Sequence, residues 1–236
     1  MSGQAARVCL VFGVGPGLGA GFARRFAAEG YRVALLARGL GFTSALAAEL
    51  PEARAYACDA TDAASIAAAF ARVRAELGEP DVLVYNAGSG IWGDVESITA
   101  AEFELSWRVN ALGAFLASRE VIPGMKAKGR GAIVFVGATA SRRGVPRTAA
   151  FAPAKAAQKS LAESMARTLW PAGIHVALII VDGMVDLPRT RDRMKDAPDS
   201  FFIRPDDVAE LAFRLVEQPR SAWSFEVEAR PFGERW

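Results

Sequence analysis

The chain has 236 residues, of which 52% are hydrophobic and 23% are charged, and its formal net charge is +2. This length suits one large domain with a single core, so we predict one domain over residues 1–236. The small net charge and the dispersed lysines and arginines argue against nucleic acid or a membrane surface as a partner, and no apolar run approaches the roughly 20 residues of a membrane-spanning helix.

The polar start, Met1–Arg7, lacks the pattern of an export signal, and the two cysteines, Cys9 and Cys58, each lie in an apolar stretch. Buried thiols are therefore expected in place of a disulfide or a metal site. Together these observations predict a cytoplasmic protein.

Short, nearly continuous apolar runs recur along the chain and predict strands. They are Arg7–Phe12, Tyr31–Ala37, Ala53–Cys58, Asp81–Tyr85, Ala132–Val136 and His175–Val181. Because apolar and polar residues do not alternate in these runs, both faces of the sheet should be covered by helices. A last run, Trp223–Glu228, alternates strictly and predicts an edge strand with Trp223, Phe225 and Val227 on one face.

Segments rich in Ala, Leu, Glu and Arg lie between these strands and predict helices. They are Leu18–Glu29, Asp62–Leu77, Ala100–Met125, Ala149–Pro171 and Pro205–Glu217. The βαβα order predicts an α/β Rossmann fold with a doubly wound, mostly parallel seven-stranded sheet and helices on both faces. Ligands of such sheets bind at the carboxyl ends of the strands, and residues 182–200, which follow the sixth strand, are predicted to form a substrate lid.

A glycine-rich turn, Gly13–Gly19, follows the first strand and opens into a helix. Glycine allows the tight turn and the approach of a pyrophosphate, while the helix N-terminus offers N–H groups to phosphates. Two registers fit the dinucleotide fingerprint: Gly15, Gly17 and Ala20, or Gly13, Gly17 and Gly19. The alternative is a flexible surface loop, but the flanking strand and helix favour a dinucleotide site.

The end of the second strand bears on which dinucleotide is bound. An acidic residue there would hold the ribose 2′-hydroxyl of NAD, but the chain has Ala37 followed by Arg38. A guanidinium pairs well with a 2′-phosphate, so NADP(H) is favoured over NAD(H). The alternative is a solvated arginine at the end of a strand.

With these motifs the chain resembles the short-chain dehydrogenase/reductase superfamily over nearly its whole length. The turn matches G-x-x-x-G-[IL]-G, the segment at Asp59 matches the part that contacts adenine, Asn86-Ala87-Gly88 matches the N-A-G motif, and Asn110 matches the helical asparagine. The residues predicted to bind the cofactor are Gly13, Gly15, Gly17, Leu18, Gly19, Arg38, Asp59, Ala60, Asn86, Ala87, Gly88, Lys155, Gly183 and Val185.

The catalytic segment departs from the family pattern. The resemblance implies a serine after the fifth strand and a Tyr-x-x-x-Lys at the start of the next helix, but this chain has Ala138, Phe151 and Lys155. Phenylalanine has no proton to give, and general acid catalysis is typically worth about 10²- to 10⁴-fold. The three tyrosines, Tyr31, Tyr56 and Tyr85, lie in apolar strands, where a core role is expected.

Other polar residues lie near these positions. Thr139 and Ser141 carry hydroxyls that partly replace the missing serine, and Asp182-Gly183 occurs where the family has Pro-Gly beside the nicotinamide. Asp182 would relay a proton if burial raised its pKa; the alternative is that it caps the next segment. The candidate catalytic residues are Asn110, Thr139, Lys155 and Asp182. The only histidine, His175, has no triad or ligand partner nearby and is predicted to be structural.

Arginines flank the predicted substrate cleft at Arg142, Arg143 and Arg147 and at Arg189, Arg191 and Arg193. They would bind an anionic substrate; the alternative is that they are solvated. The first functional hypothesis is an NADP(H)-dependent oxidoreductase acting on a small carbonyl, imine or activated double bond, with a proton donor other than tyrosine. The second is a sensor or scaffold that binds NADP(H) without catalysis, and a third is a pocket that binds no nucleotide.

Self-association is predicted from the apolar residues around two predicted helices, Ala100–Met125 and Ala149–Pro171. These residues include Phe103, Trp107, Phe115, Leu161, Met165 and Leu169. The resemblance implies a homodimer or homotetramer built through these helices and the last strand.

Overall fold

The structure is a computed structural model, and it describes residues 6–234. The ends of the predicted domain, and most of the segment Met1–Arg7 on which the export prediction rests, lie outside the described residues.

The main sheet has seven strands in the order β3-β2-β1-β4-β5-β6-β9, and every pairing in it is parallel. Its strands are β1 (Val8–Phe12), β2 (Arg32–Ala37), β3 (Ala53–Ala57), β4 (Val82–Tyr85), β5 (Gly131–Ala138), β6 (Ile174–Val181) and β9 (Glu226–Ala229). Two short strands, β7 (Met184–Val185) and β8 (Phe202–Ile203), form a separate parallel pair. The predicted Rossmann-type α/β fold is confirmed.

The helices cover both faces of this sheet. They are α1 (Leu18–Ala28), α2 (Leu40–Glu49), α3 (Ala63–Glu76), α4 (Ala100–Trp107), α5 (Gly113–Lys128), α6 (Phe151–Leu169), α7 (Pro188–Arg193) and α8 (Pro205–Val216). Buried residues of α3, α5 and α6 form one core with the sheet, and those of α1, α2 and α8 form a second core on the opposite face. Covering both faces explains why the central strands β1, β4 and β5 are apolar throughout, whereas the two edge strands, β3 and β9, carry charged residues.

The register of the sheet aligns the carboxyl ends of its strands. Phe12 of β1 is level with Leu36 of β2 and Tyr85 of β4, and Ala138 of β5 is level with Val181 of β6. The residues that follow these strands therefore meet at one edge of the sheet.

Two predicted boundaries are wrong. The helix predicted as Ala100–Met125 is α4 and α5 joined by a π-helical turn, Arg108–Leu112. The last strand begins at Glu226 and not at Trp223, because Trp223 stacks on His175 with ring centroids 4.8 Å apart, ahead of the strand. Phe225 consequently packs on one core and Val227 on the other, so they do not share a face.

The predicted structural roles of the tyrosines, the histidine and the cysteines agree with the structure. The Tyr85 hydroxyl donates to the Val109 carbonyl at 2.6 Å, and burial raises the pKa of this side chain. His175 is buried, which lowers its pKa. Both cysteines are free and buried. Within residues 6–234 there is no group of potential metal ligands and no helix long and apolar enough to cross a membrane.

Candidate active site

The glycine-rich turn lies between β1 and α1, and its glycines are required for different reasons. Gly13 has φ +95°, a conformation that side-chain-bearing residues rarely adopt. A Cβ on Gly19 would lie 2.6 Å from the Gly13 carbonyl oxygen, whereas a Cβ on Gly15 would meet no atom within 4 Å. The turn is therefore packed tightly against itself at Gly13 and Gly19 and leaves open space at Gly15.

Asn86 fixes this turn to the neighbouring strand. Its side-chain amide donates to the Gly13 carbonyl at 2.7 Å, and its backbone N–H donates to the Phe12 carbonyl at 2.8 Å. The N-A-G segment after β4 is thereby held beside the glycine turn after β1, which makes a continuous backbone surface along the sheet edge.

Arg38 and Asp59 lie at the ends of β2 and β3, farther along the same edge. Asp59 accepts hydrogen bonds from the backbone N–H and hydroxyl of Thr61, each at 2.8 Å. These bonds and the nearby Arg38 guanidinium lower the pKa of the Asp59 carboxyl. Arg38 is exposed and forms no ion pair within residues 6–234, so its guanidinium is available to a ligand.

Asn110 and Lys155 lie close to Gly88 of the N-A-G segment. A Cβ on Gly88 would lie 3.3 Å from Asn110 Oδ1 and 3.7 Å from Lys155 Nζ. Asn110 lies in the π-helical turn, and its Oδ1 is buried without a hydrogen-bond partner among the described residues. An orphaned acceptor beside an ammonium is the arrangement that a ligand hydroxyl would satisfy.

Lys155 is buried on α6 and donates to the Val136 carbonyl at 2.8 Å and to Gln158 Oε1 at 3.1 Å. Burial lowers its pKa to about 7. The structure brings Lys155 beside the N-A-G segment. The sequence motif gave no role to Gln158, which lies three residues farther along α6.

No hydroxyl is present at the serine and tyrosine positions that the resemblance implies. Ala138 ends β5, and its N–H donates to Ser141 Oγ at 3.1 Å, so the buried Ser141 hydroxyl is used within the turn. Phe151 begins α6 and packs on Trp92 with ring centroids 5.2 Å apart. The Phe151 and Trp92 rings therefore form an apolar surface at the start of α6.

Asp182 is 1% exposed, and both of its carboxylate oxygens are used. The Thr139 hydroxyl donates to Oδ1, and the Arg230 guanidinium donates to Oδ2. Arg230 also donates to Glu228 at 2.9 Å. Asp182 therefore neither caps the segment that follows nor has a free oxygen facing the site, and its partner Arg230 was not identified from the sequence.

A second carboxyl, Glu234, lies beside Gly183. A Cβ on Gly183 would be 2.6 Å from Glu234 Oε2, and this buried oxygen has no hydrogen-bond partner in the described part of the chain. Burial and the neighbouring Asp182 raise the pKa of Glu234, against the opposing effect of Arg230 and Arg143. No sequence motif pointed to Glu234, because it lies far along the chain from the segment it contacts.

A cavity of about 510 Å³ opens beside the loop between β5 and α6. Its lining includes Arg142, Arg143, Arg147 and Asp94. Arg142 is paired with Glu226 at 2.7 Å and also with Glu228, whereas Arg143 and Arg147 form no ion pair with any described residue. Of the three arginines, two therefore have charges that remain available in the cavity.

The segment after β6 folds back over the glycine turn. A Cβ on Gly17 would lie 2.8 Å from Leu187, and Thr190 donates to the Val185 carbonyl at 2.6 Å. In this segment Arg191 pairs with Asp186 at 2.7 Å and with Asp199 at 2.6 Å. Arg191 thus stabilises the segment itself, while Arg189 and Arg193 are exposed without an ion pair among residues 6–234.

Comparisons with known proteins agree with this geometry. A model of the short chain dehydrogenase family matches residues 7–197. The chain is 33% identical over 208 residues to "inactive 2-(S)-hydroxypropyl-CoM dehydrogenase 2" of Xanthobacter autotrophicus, which covers 82% of this chain and 90% of that protein.

Solved structures give the same result. A metagenomic short-chain oxidoreductase in complex with NADP has a TM-score of 0.84 and 31% identity, covering 98% of this chain and 99% of its own. The 3-ketoacyl-(acyl-carrier-protein) reductase of Brucella melitensis, complexed with NADH, has a TM-score of 0.86 and 29% identity, covering 96% and 97% of the two chains.

Proposed function

The chain belongs to the short chain dehydrogenase family, and from this premise we propose that it is an NADP(H)-dependent oxidoreductase whose proton donor is not a tyrosine. The observation that carries the proposal is the continuous surface from the glycine turn through Asn86 and Gly88 to Asn110 and Lys155. Along it, backbone N–H groups at the start of α1 and the Lys155 side chain are donors of the kind that bind phosphates and ribose hydroxyls. When bound, the nicotinamide would supply or accept a hydride.

Different residues along this surface would contact different parts of the cofactor. The backbone of the glycine turn and the start of α1 fit the pyrophosphate, with the open space at Gly15 on the ligand side. Asp59 fits the adenine end, and Lys155 with Asn110 fits ribose hydroxyls. Gly183 and Val185, which follow β6 at the same edge of the sheet, would contact the nicotinamide end.

Arg38 is the reason to propose NADP(H) over NAD(H). It is exposed at the end of β2 without an ion-pair partner in the described chain, and a guanidinium pairs with a 2′-phosphate by charge-assisted hydrogen bonds. A relative bound to NADP and another bound to NADH both share this fold, so the choice depends on Arg38 itself.

A small anionic substrate is favoured by the cavity beside the β5–α6 loop. Arg143 and Arg147 line it without ion-pair partners among the described residues, and charges of this kind hold carboxylates or phosphates. We propose a carbonyl, an imine or an activated double bond as the reacting group, with the proton supplied by a group other than the side chain at position 151, which is a phenylalanine here. Residues 182–200 would act as the lid of a single catalytic domain.

A second candidate is an NADP(H)-binding sensor or scaffold without catalysis. It is favoured by the Phe151–Trp92 packing, which puts apolar surface where the resemblance implies the acid, and by the name "inactive" of the relative from Xanthobacter autotrophicus. Both candidates require the same nucleotide site, so cofactor binding alone does not separate them. The two buried free cysteines fit a reducing compartment, and we propose the cytoplasm for either.

The first experiment measures cofactor binding. We expect NADPH to bind more tightly than NADH in a fluorescence titration and Arg38→Gln to remove most of that difference, by roughly tenfold for one charge-assisted hydrogen bond. Arg167→Gln is the matched control, because Arg167 is an exposed helix arginine paired with Glu163. If no NADPH bound at high concentration, the proposal would be wrong.

The second experiment measures turnover. NADPH consumption is followed with ketones, imines, enones and thioester-linked dienes, each with and without a carboxylate or phosphate group. We expect oxidation above background with anionic members, and a raised KM for them in Arg143→Gln and Arg147→Gln. Binding of NADPH with no turnover across the panel would favour the sensor or scaffold.

A further inference from the structure

The buried ammonium of Lys155 lacks an ionic partner. Its residue is 5% exposed, and no ion pair involves it within residues 6–234. The groups around it are the Val136 carbonyl of β5, the Gln158 amide of α6, Gly88 and Asn110, all of them uncharged. A buried cation in such surroundings is costly unless its protons are held by well-placed acceptors.

Gln158 supplies one of these acceptors and is completely buried itself. Its Oε1 accepts from Lys155 Nζ at 3.1 Å, and its Nε2 donates to the Asn110 backbone carbonyl at 3.0 Å. An ammonium can only donate and a carbonyl can only accept, so the two ends of the amide are not interchangeable. The amide therefore connects α6 to the π-helical turn in one orientation.

This connection leaves one donor and one acceptor unused at a single place. Two of the three Nζ protons are taken by Val136 and Gln158, and Asn110 Oδ1 has no partner in the described chain. Both groups lie within 4 Å of the position that a Cβ of Gly88 would occupy. A ligand with adjacent hydroxyls, such as a ribose, can accept from the one and donate to the other.

We propose that Gln158 is a positioning residue: its side-chain amide holds Lys155 and Asn110 together so that they present a fixed donor and acceptor pair to the ribose of the cofactor. The proposal rests on the proposed function for the identity of the ribose, but the connection between the three residues belongs to the protein alone. Gln158 does not contact the ligand and acts through Lys155 and Asn110.

The first test needs no cofactor. The lysines of the chain are Lys126, Lys128, Lys155, Lys159 and Lys195. So few signals allow the Lys155 pKa to be followed by NMR of protein labelled with ¹³C-lysine, with Lys155→Met assigning the signal.

The variants have opposite expected effects on this titration. Gln158→Leu removes an acceptor of the ammonium and should lower the Lys155 pKa further, whereas Gln158→Glu places a carboxylate beside it and should raise the pKa. Ser118→Ala is the matched control, since it removes a different buried polar group, on α5, and should leave the titration unchanged. If Gln158→Leu does not fold, the opposite shift in Gln158→Glu still tests the contact.

The second test measures NADPH affinity over a range of pH. The ammonium form of Lys155 binds the ribose, so affinity in the wild type should fall as the pH rises through its pKa of about 7. Gln158→Leu should bind roughly tenfold more weakly and lose affinity at a lower pH, and the Ser118→Ala profile should match the wild type.

The outcomes separate this proposal from the proposed function. If neither Gln158 variant shifts the Lys155 titration, the positioning role is wrong, whatever binds. If the titration shifts but the NADPH affinity and its pH profile do not change, Gln158 holds Lys155 without positioning it for the cofactor, and the proposal is again wrong. If the wild type does not bind NADPH, the proposed function fails and with it the assignment of the ribose, while the titration still decides whether Gln158 holds the lysine.

Discussion

Single residues decide what chemistry the site permits, and the two carboxyls near Gly183 differ in the partners they have. Asp182 accepts from Thr139 and Arg230 with both oxygens, whereas Glu234 has a buried oxygen without a hydrogen-bond partner among the described residues. The sequence drew attention to Asp182 because it replaces a family proline. The structure draws attention to Glu234, because burial and Asp182 raise the pKa of its carboxyl, which is the direction of shift that a general acid needs.

The Asp182–Arg230 pair provides a test of stability. Its side chains are 2% and 12% exposed, and Asp182→Asn removes this ion pair while Arg230 keeps its bond to Glu228. We expect Asp182→Asn to lower the free energy of unfolding by about 2 kcal/mol, measured by urea denaturation, because hydrogen bonds to charged groups are worth about 1.5–3 kcal/mol. Thr139→Val removes the other hydrogen bond to Asp182 and keeps the ion pair, so it should lose less; an equal or larger loss would contradict this account of the pair.

Glu234 provides a test of pH dependence. Its pKa is raised by burial and by Asp182, so the folded state holds this proton more tightly than the unfolded state. The stability it contributes is complete below the unfolded pKa of about 4.3 and is lost as the pH rises through the folded pKa.

Replacing the Glu234 carboxyl should therefore raise the free energy of unfolding at neutral pH and leave it unchanged at low pH. We expect Glu234→Gln to match the wild type at low pH and to be the more stable of the two at neutral pH, in urea unfolding across a pH series. Glu96→Gln, at an exposed glutamate, is the control and should not change the profile. A Glu234→Gln profile parallel to that of the wild type would rule out a raised pKa.

Substitutions at positions 138 and 151 test whether the chain differs from a ketone reductase only in its catalytic side chains. Phe151→Tyr with Ala138→Ser supplies the acid and the hydroxyl while keeping Lys155 and Asn110. We expect NADPH-dependent reduction of simple ketones to rise by at least about 10²-fold over the wild type, the lower bound for a general acid. If the double variant binds NADPH as the wild type does and still reduces no ketone, more than these two side chains separates the chain from ketone reduction.

At the scale of elements, the glycine turn combines a packing requirement and a binding requirement at different positions. Gly19→Ala would place a Cβ 2.6 Å from the Gly13 carbonyl, so we expect a loss of stability of about 2 kcal/mol. Gly15→Ala meets open space, so it should keep its stability but weaken NADPH binding, because the methyl enters the space left for the phosphates.

Thermal unfolding and NADPH titration of the same variants separate the two requirements. Gly41→Ala is the control, because it also meets nothing within 4 Å but lies exposed within α2, outside the turn. Unchanged NADPH affinity in Gly15→Ala would show that the open space does not face the phosphates.

The elements that sequence patterns predicted are those with a strong local signal. The apolar runs of β1, β2, β4 and β6 predicted those strands to within a residue or two, because a strand covered on both faces is almost entirely apolar. The helix α2 was missed because only Thr43 and Leu46 of its residues are buried, too few to give a helical repeat. The π-helical turn at Asn110 was missed because its sequence continues the helical composition on either side.

The site residues also differ in whether a local sequence motif identifies them. The glycines, Asn86, Asn110 and Lys155 belong to local motifs, and the structure brings them to one edge of the sheet. Gln158, Arg230 and Glu234 carry no motif, and their importance comes from contacts with residues distant in sequence. The Gln158 contact depends on how α6 packs against the π-helical turn, and the contacts of Arg230 and Glu234 depend on how β9 pairs with β6. The sequence did not predict the start of β9, so it did not predict this pairing either.

At the scale of the whole molecule, α4 and α5 expose an apolar surface. Phe103, Trp107 and Phe115 are 45%, 43% and 41% exposed on consecutive helical elements, joined by the π-helical turn. Exposed aromatic side chains grouped in this way are typical of an interface between protein chains. A second copy of the chain is the occupant we expect, through the first of the two helices from which the sequence predicted self-association. In the second, Leu169 is buried and Leu161 and Met165 pack against the core.

Phe115→Glu should therefore weaken self-association, because a carboxylate buried against an apolar partner surface loses hydration that Arg119, whose guanidinium lies 5.6 Å from the Phe115 ring centroid, only partly replaces. The measurement is sedimentation velocity of wild type and variant over a range of protein concentrations. Phe42→Glu is the matched control: Phe42 is 40% exposed on α2, so it changes an equally exposed phenylalanine elsewhere on the surface and should leave the oligomer intact. A wild-type protein that sediments as a monomer at all concentrations would show that α4 and α5 are not a self-association surface.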